Sequence, residues 1–516
     1  MLKRLIPNKM DSVRNKADRE EFGMQAGPLV KVRDLFNTLG SRNIRYCHWK
    51  SNFHLDFALR GEEDLDLLIA REDLYLFFRL LVELGYKEFI DLTGVRQLGV
   101  YHFLGHDEET GTLIHIHAFC RTLTGDHIIK SFALPFERML LENVQQVAGV
   151  MLPTNGAELV VFVLRTLIKH TTFTDLLLTM RSYDDVLEEY RWLRSQNSLE
   201  EALALLARYF PEVDAKDFKQ ALELIRHKDR LWARVLLGRR FARVLAKYRR
   251  YSALESAVRT GFMVAKILLR RILRKKRITT MPSGGSIIAF VGPQATGKST
   301  LARNVRNWFG FQLSVRYIHA GKPPATPLTF LPNLFLPLLR WLMPAQRSTK
   351  LERREEQQKD FVDYSYLHIV RKVMLAYDRW KLLQSAFRQS RNGKIIISDR
   401  YPSEAIGAVD GATFDDMAIR TQKSGFKSYL MALERSIYQK IPSPDIVIQL
   451  AVPLDVAIHR NQVRDKKGAK DSEYVRFRHT MNKQPIFTKP TVISVSTAEP
   501  QNETLKKVKS LIWKHL

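Results

Sequence analysis

The sequence predicts an α/β protein in three parts. Residues 286–516 are expected to form a three-layer αβα unit around a parallel sheet, entered through a phosphate-binding loop. Residues 28–150 read as an α+β domain, and residues 154–277 as a helical connector. Three observations carry this reading. From Ile287 onward, short β-rich apolar runs ("IIAFVG", "SVRYIHAG", "KIIISDR", "DIVIQLAV", "PTVISVS") alternate with helical stretches. Strands covered on both faces read as such near-continuous apolar runs. Before them, residues 154–277 show helical periodicity only, and residues 28–150 mix both periods.

The elements follow in order. "PLVKVRDLFNTLG" has the helical period and stops at Gly40. "IRYCHW" and "EDLDLLI" are short strands, and "REDLYLFFRLLVELG" is a helix ending at Gly85. "RQLGVYHFL" and "TLIHIHAF" alternate as strands across the turn "GHDEETG". "NGAELVVFVLRTLIKH" opens the connector with an Asn-Gly start, and "SLEEALALLARYF" carries a capping-box pattern, Ser198 with Glu201. "RVLAKYRRYSALESAVRTGFMVAKILLRRILRKKR" reads as a basic amphipathic helix with a break near Gly261, and "TTMPSGGS" as a linker.

Composition bounds the function. At 516 residues the chain is too long for one core, and 45 % apolar content suffices for two or three. Two cysteines, Cys47 and Cys120, exclude a disulfide scaffold and suit a reducing cytoplasm. The first residues, "MLKRLIPNKMDSVRNKADREEF", contain no apolar stretch of the signal-peptide kind. No uncharged apolar run approaches the ~20 residues of a spanning helix. The nearest, Leu328–Pro344, carries Arg340 and is interrupted by Pro332 and Pro337. The expected location is the cytoplasm, with attachment at the inner membrane face left open.

The formal charge is +28, and residues 226–277 hold 18 Lys+Arg against two acids. Such a field attracts an anionic membrane surface, nucleic acid or another polyanion. Apolar residues (Leu236, Leu237, Phe241, Val244, Leu245, Phe262, Val264, Ile267, Leu268) lie between the charges. Two readings stand side by side: a helix lying on an anionic membrane, and a strap packed on the flanking domains with its basic side in water. No nucleic-acid reading module is recognisable, so no sequence-specific nucleic acid is expected.

The chemistry concentrates after Ser286. Gly292-Pro-Gln294-Ala295-Thr296-Gly297-Lys298-Ser299-Thr300 satisfies G-x-x-x-x-G-K-[ST]. In this pattern glycines let backbone N–H groups face phosphate oxygens and a helix adds its positive end. The lysine reaches the β/γ phosphates, and the hydroxyl after it, here Ser299, binds Mg²⁺. The strand before and helix after, "STLARNVRNWFG", make a chance match improbable. Strand "KIIISDR" brings Asp399 and Arg400 to its C-terminal edge, where ligands sit in open α/β sheets. The carboxylate suits Mg²⁺ and the guanidinium a phosphate. "MLAYDRWKLLQSAF" puts Asp378 and Arg379 on a helix. Arg460 and Arg464, four apart, share a helix face from which to close on transferring phosphates.

This set, over residues 286–516, resembles the thymidylate kinase family of nucleoside monophosphate kinases. The resemblance implies ATP as donor, Mg²⁺, an acceptor phosphate held at Arg379 and Arg400, help from Asp399, and a lid role for Arg460 and Arg464. Two departures bear on the acceptor. The family usually has an acid in the loop where this chain has Gln294. It usually has Arg-Glu-Pro after the second strand, where this chain reads "HAGKPPAT", with His319 and Lys322. A lost carboxylate and a gained lysine point to a phosphorylated acceptor more anionic than a nucleoside.

In the first domain, Asp64 and Asp66 are two apart on a strand, so both face one side. Two such carboxylates suit a pair of Mg²⁺ ions for nucleotidyl transfer. The element order resembles the minimal nucleotidyltransferase fold. That family has a Gly-Ser turn and a third carboxylate; this chain has Lys50-Ser51, and His115 and His117 on the later strand. Those two histidines also share a face, as metal ligands do, although hydrogen-bonded structural histidines are the commoner case. "YCHWKSN…DLDLL" ahead of a thymidylate-kinase-like domain also resembles a recurring bacterial architecture associated with surface-polysaccharide gene clusters. Three functions stay open: a kinase acting on a phosphorylated acceptor, a regulatory or assembly protein that uses ATP as a switch, and nucleotidyl transfer by the first domain.

Overall fold

The computed structural model describes residues 27–91, 98–126, 128–169, 183–273, 279–310, 312–342, 364–408, 410–463, 472–480 and 485–516. The chain divides into two compact units, residues 1–277 and 278–516.

The first unit opens with α1 (Val30–Ser41), β1 (Tyr46–His48), β2 (Leu65–Ile69), α2 (Leu74–Glu83), β3 (Lys87–Asp91), β4 (Val100–His106) and β5 (Leu113–Phe119). These strands lie in the order β1-β2-β5-β4-β3. The β2–β5 pair is parallel; the others are antiparallel. The period of two sorts the two faces. Leu65, Leu67, Ile69, Ile114, Ile116 and Ala118 pack with Val32, Leu35 and Leu39 of α1 and Phe77 and Leu80 of α2. Asp66, His115 and His117 alternate with these residues and so take the other face.

The helical part follows: α3 (Asn155–Lys169), α4 (Tyr183–Ser195), α5 (Leu199–Tyr209), α6 (Ala215–Arg226), α7 (Leu231–Val244) and α8 (Ala253–Ile272). α3 is buried along almost its whole length. Its Phe162 and Leu164 share one core with Phe210, Phe241 and, from the α+β part, Cys47, Trp49 and Phe119. The capping box at Ser198 does not form. Ser198 Oγ donates to Leu193 O, and Glu201 instead accepts from Gly156 N at 2.9 Å, capping the start of α3. An orphan N–H at a buried helix start costs more than one at an exposed start, so the carboxylate serves the buried helix.

The basic segment is two helices, and Gly261 lies inside the second. The break falls at residues 245–252. There Arg250 donates to Ile129 O and Lys130 O, and Arg249 to Ala242 O. α7 is a strap whose Leu237 and Phe241 enter the core. α8 buries no described side chain, and leaves Leu254, Val258, Phe262, Leu269 and Ile272 exposed. No described helix is long and apolar enough to cross a membrane.

α3 also carries Glu158, 4 % exposed. Burial pushes its carboxyl up to about 8, with Glu189 adding to the effect. The unfolded chain loses this proton near pH 4.5, whereas the folded chain keeps it until about 8, so stability falls with rising pH across that window. Urea unfolding should show a loss on the order of 3 kcal/mol between pH 5 and 8 from this group. Glu158→Gln should flatten that slope; an unchanged slope would contradict the assignment.

The second unit contains β6 (Ile287–Val291), α9 (Lys298–Phe309), β7 (Val315–His319), α10 (Pro327–Leu342), α11 (Tyr366–Arg391), β8 (Ile395–Asp399), α12 (Gly425–Gln439), β9 (Ile446–Ala451), α13 (Leu454–Gln462), α14 (Ser472–Thr480), β10 (Thr491–Ser496) and α15 (Gln501–His515). The strands form one parallel sheet ordered β7-β8-β6-β9-β10. β6 and β8 are buried throughout, as the apolar runs Ile287–Val291 and Ile395–Ile397 require. Leu383 and Ala386 of α11 pack on Ile287, Ala289, Val291 and Ile396. α9 and α15 meet through Trp308 and Trp513, ring centroids 6.1 Å apart. From β6 the chain crosses first to β7 and β8 on one side and then to β9 and β10 on the other. The loops at its C-terminal end therefore diverge and leave a crevice.

Candidate functional site

The crevice is lined by the loop that follows β6. Gly292 has φ +143°, and a Cβ there would stand 2.4 Å from Leu450 O, so no side chain fits. Gly297, with φ +83°, caps α9. Ala295, with φ 63°, accepts a left-handed conformation that a side chain disfavours. Arg400 (φ 75°) and Asp410 (φ 68°) do the same. Backbone strain of this kind persists only where surrounding structure imposes it, and it gathers at binding sites.

Lys298 is 8 % exposed. Its Nζ donates to Pro293 O and, at 3.2 Å, to Thr296 Oγ1, folding back over its own loop. Ser299 Oγ donates to Asp399 Oδ2 at 2.5 Å. Tyr317 OH donates to the same oxygen at 3.1 Å. Burial, and then the Asp399 carboxylate, push the Tyr317 phenol up to about 12, so it remains a donor. Asp399 is 1 % exposed, and its Oδ1 has no hydrogen-bond partner among the described residues. An unpaired buried carboxylate oxygen costs about 1–3 kcal/mol. Beside the Ser299 hydroxyl, it makes a donor set of hard oxygens that fits Mg²⁺.

The arginines are held by one carboxylate. Arg400 Nη1 donates to Asp410 Oδ2 and Arg379 Nη2 to Asp410 Oδ1, each at 3.1 Å. Arg379 also donates to Ala320 O, Asp410 O and Tyr438 OH. It is 2 % exposed, so it stands behind Asp410 and Arg400. Asp378 serves the start of α10: its Oδ1 accepts from Thr326 N, Thr326 Oγ1 and Thr329 Oγ1. Lys322 is exposed, and a Cβ at Gly321 beside it would meet Arg400 Cδ at 2.3 Å. Arg460 donates to Thr497 O at 2.6 Å; Arg464 lies outside the described residues.

Two cavities meet at the loop. One, of about 450 Å³, is lined by residues 294–301, Arg400, Arg460, Thr497, Glu499, Gln501 and Thr504. The other, of about 250 Å³, is lined by Gly292, Pro293, Lys298, Arg400, Tyr401, Asp410, Gln449 and His479 among others. His479 of α14 also pairs with Gln294 O at 2.9 Å. Gln294 through Thr300, Lys298, Arg400 and Arg460 are thus brought together, whereas Asp378 and Lys322 line neither cavity. The sequence reading missed Tyr317, Asp410, Thr497, Glu499 and His479. Thr497 and Glu499 follow a strand at the same sheet edge as Asp399, so that rule applied to β10 would have found them. Asp410 and His479 carry no such signal.

In the first unit Asp64 and Asp66 each meet a histidine. Asp64 Oδ1 accepts from His115 Nδ1 at 2.8 Å, and Asp66 Oδ1 from His117 Nδ1 at 3.1 Å. Lys50 Nζ lies 3.1 Å from Asp66 Oδ1. Burial opposes ionisation of Asp66, but Lys50 and His117 outweigh it and hold the carboxyl well below the usual range. Ser51 takes φ 61°, the left-handed turn for which glycine is the usual residue.

No family model and no curated protein matches the chain. Among solved structures, a thymidylate kinase from Candida albicans is similar over 45 % of this chain and 90 % of that one, at 19 % identity and a TM-score of 0.26.

Proposed function

We propose that the second unit transfers the γ-phosphoryl group of ATP to a phosphorylated small-molecule acceptor, as nucleoside monophosphate kinases do. The observation that carries this reading is that Lys298 and Arg400 line both cavities. A donor in the larger cavity and an acceptor in the smaller would meet at these two cations.

Little covalent work falls to the protein in such a transfer; positioning and charge stabilisation do it. The loop N–H groups and the start of α9 hold the donor phosphates. Lys298 leaves Pro293 O and Thr296 Oγ1 for the phosphoryl oxygens and balances the charge that develops there. Ser299 and Asp399 would hold Mg²⁺, which when bound would supply positive charge to offset the phosphates. Arg400, released by Asp410, takes the acceptor phosphate, and Arg460 closes the donor side. ADP release by the purified chain, measured against nucleoside monophosphates, nucleosides and phosphorylated sugars, tests this. Acceptor-dependent release supports it. Tight ATP binding without such release overturns it.

Asp410→Asn should lower the KM for a phosphorylated acceptor about 5-fold, the worth of roughly 1 kcal/mol in a freed charge-assisted bond, with kcat little changed. An unchanged or raised KM would show that Asp410 does not compete with the acceptor. The pairing of both arginines with Asp410 also favours a second reading: an ATP-operated switch in which no acceptor enters. Its signature is slow hydrolysis that no acceptor accelerates. The exposed apolar stripe of the basic helix α8 supports attachment to an anionic membrane surface, which sedimentation with acidic vesicles tests.

A further inference from the structure

The polar face of the first sheet carries a third histidine that the sequence pattern did not single out. His102 of β4 pairs directly with His117 of β5, and His115 lies two residues away on the same face. One nitrogen from each of the three imidazoles lies within 4.8 Å of the other two. His102 Nδ1 and His115 Nε2 are 3.4 Å apart. Two nitrogens bound to one tetrahedral zinc at about 2.1 Å would be separated by about 3.4 Å.

The surroundings prepare the ring nitrogens as ligands. Asp64 and Asp66 accept from Nδ1 of His115 and His117. Each of those protons is then on Nδ1, and each Nε2 keeps a lone pair. Metal-bound histidines are oriented by carboxylates in this way. The Asp64 and Asp66 carboxylates place negative charge beside the rings. The side chains of His115 and His117 are 13 % and 19 % exposed, which leaves a path for an ion.

We propose that His102, His115 and His117 form a three-imidazole binding site for a divalent transition-metal ion, with zinc as the natural probe and Asp64 and Asp66 as positioning residues. Three imidazole nitrogens suit zinc and its neighbours over Mg²⁺, which takes oxygen. Three protein ligands leave a fourth position open to water or an anionic group.

The test is zinc binding by the untagged full-length chain, read by equilibrium dialysis with metal analysis. About one equivalent is expected. His102→Ala and His115→Ala should each weaken it by ~100-fold or more, and Asp64→Asn by ~10- to 100-fold. X-ray absorption of the wild-type complex provides a second readout that does not depend on the variants folding. It should show imidazole nitrogens at about 2.0 Å and no sulfur. Sulfur ligands, absence of stoichiometric zinc, or affinity unmoved in folded His102→Ala and His115→Ala would each overturn the proposal.

Discussion

Lys298→Ala should lower acceptor-dependent ADP release by ~10³-fold, about 4 kcal/mol of transition-state stabilisation. The lysine is the buried cation that lines both cavities. Its Nζ donates to Pro293 O and Thr296 Oγ1 of its own loop. Those bonds hold it against the loop that would carry the phosphates. The loop path itself is set by Gly292, Gly297 and the backbone, so the variant should still fold. Removing a buried charge should leave thermal unfolding within a few degrees of wild type. Steady-state ADP release, alongside nucleotide binding by calorimetry, separates the outcomes. A large fall in kcat with binding weakened far less marks a group that acts mainly on the transferring phosphoryl. Equal losses in binding and turnover would make Lys298 a ground-state anchor. Unchanged turnover would remove the second unit from catalysis.

Asp399→Ala should be nearly as damaging, with a different signature. Turnover should fall ~10²- to 10³-fold, and the Mg²⁺ concentration for half-maximal rate should rise ~10-fold or more. The two carboxylate oxygens of Asp399 differ in their partners. Oδ2 is occupied by Ser299 and Tyr317, whereas Oδ1 is buried with no partner among the described residues. A fold that leaves such an oxygen unpaired gives up stability unless a ligand completes it. The variant removes that cost, so its thermal stability without ligand should hold or rise. Ser299→Ala should shift the Mg²⁺ dependence in the same direction. A rate loss with unchanged Mg²⁺ dependence would instead make Asp399 a structural partner of Tyr317.

How much of this was legible in the sequence varies by element. The parallel sheet was, because β6, β8 and β9 are built mainly of apolar, largely β-branched residues, nearly all of them buried. The loop was, because its glycines and its Lys-Ser pair are local requirements of backbone and chemistry. Asp399 and Arg400 followed from the rule that strand C-termini carry ligands. The alternation of "EDLDLLI" and "TLIHIHAF" placed Asp64, Asp66, His115 and His117 on faces, one strand at a time.

What stayed hidden involves residues far apart in the chain. Asp410 reaches Arg379 and Arg400 only because its loop folds back over two separate elements. Glu201 leaves its own capping box for the start of α3, 45 residues away. His102 joins His115 and His117 only through the antiparallel register of β4 on β5.

The sequence by itself determined most of the elements, the buried faces and the phosphate loop, though not where the basic helices part. These depend on periodicity and on backbone freedom within a few residues. Only the tertiary structure decided which arginines share a carboxylate, which oxygen of Asp399 stays unpaired and which three imidazoles converge. Those are pairings between distant segments. They are set by strand register and loop return, and no local pattern encodes them.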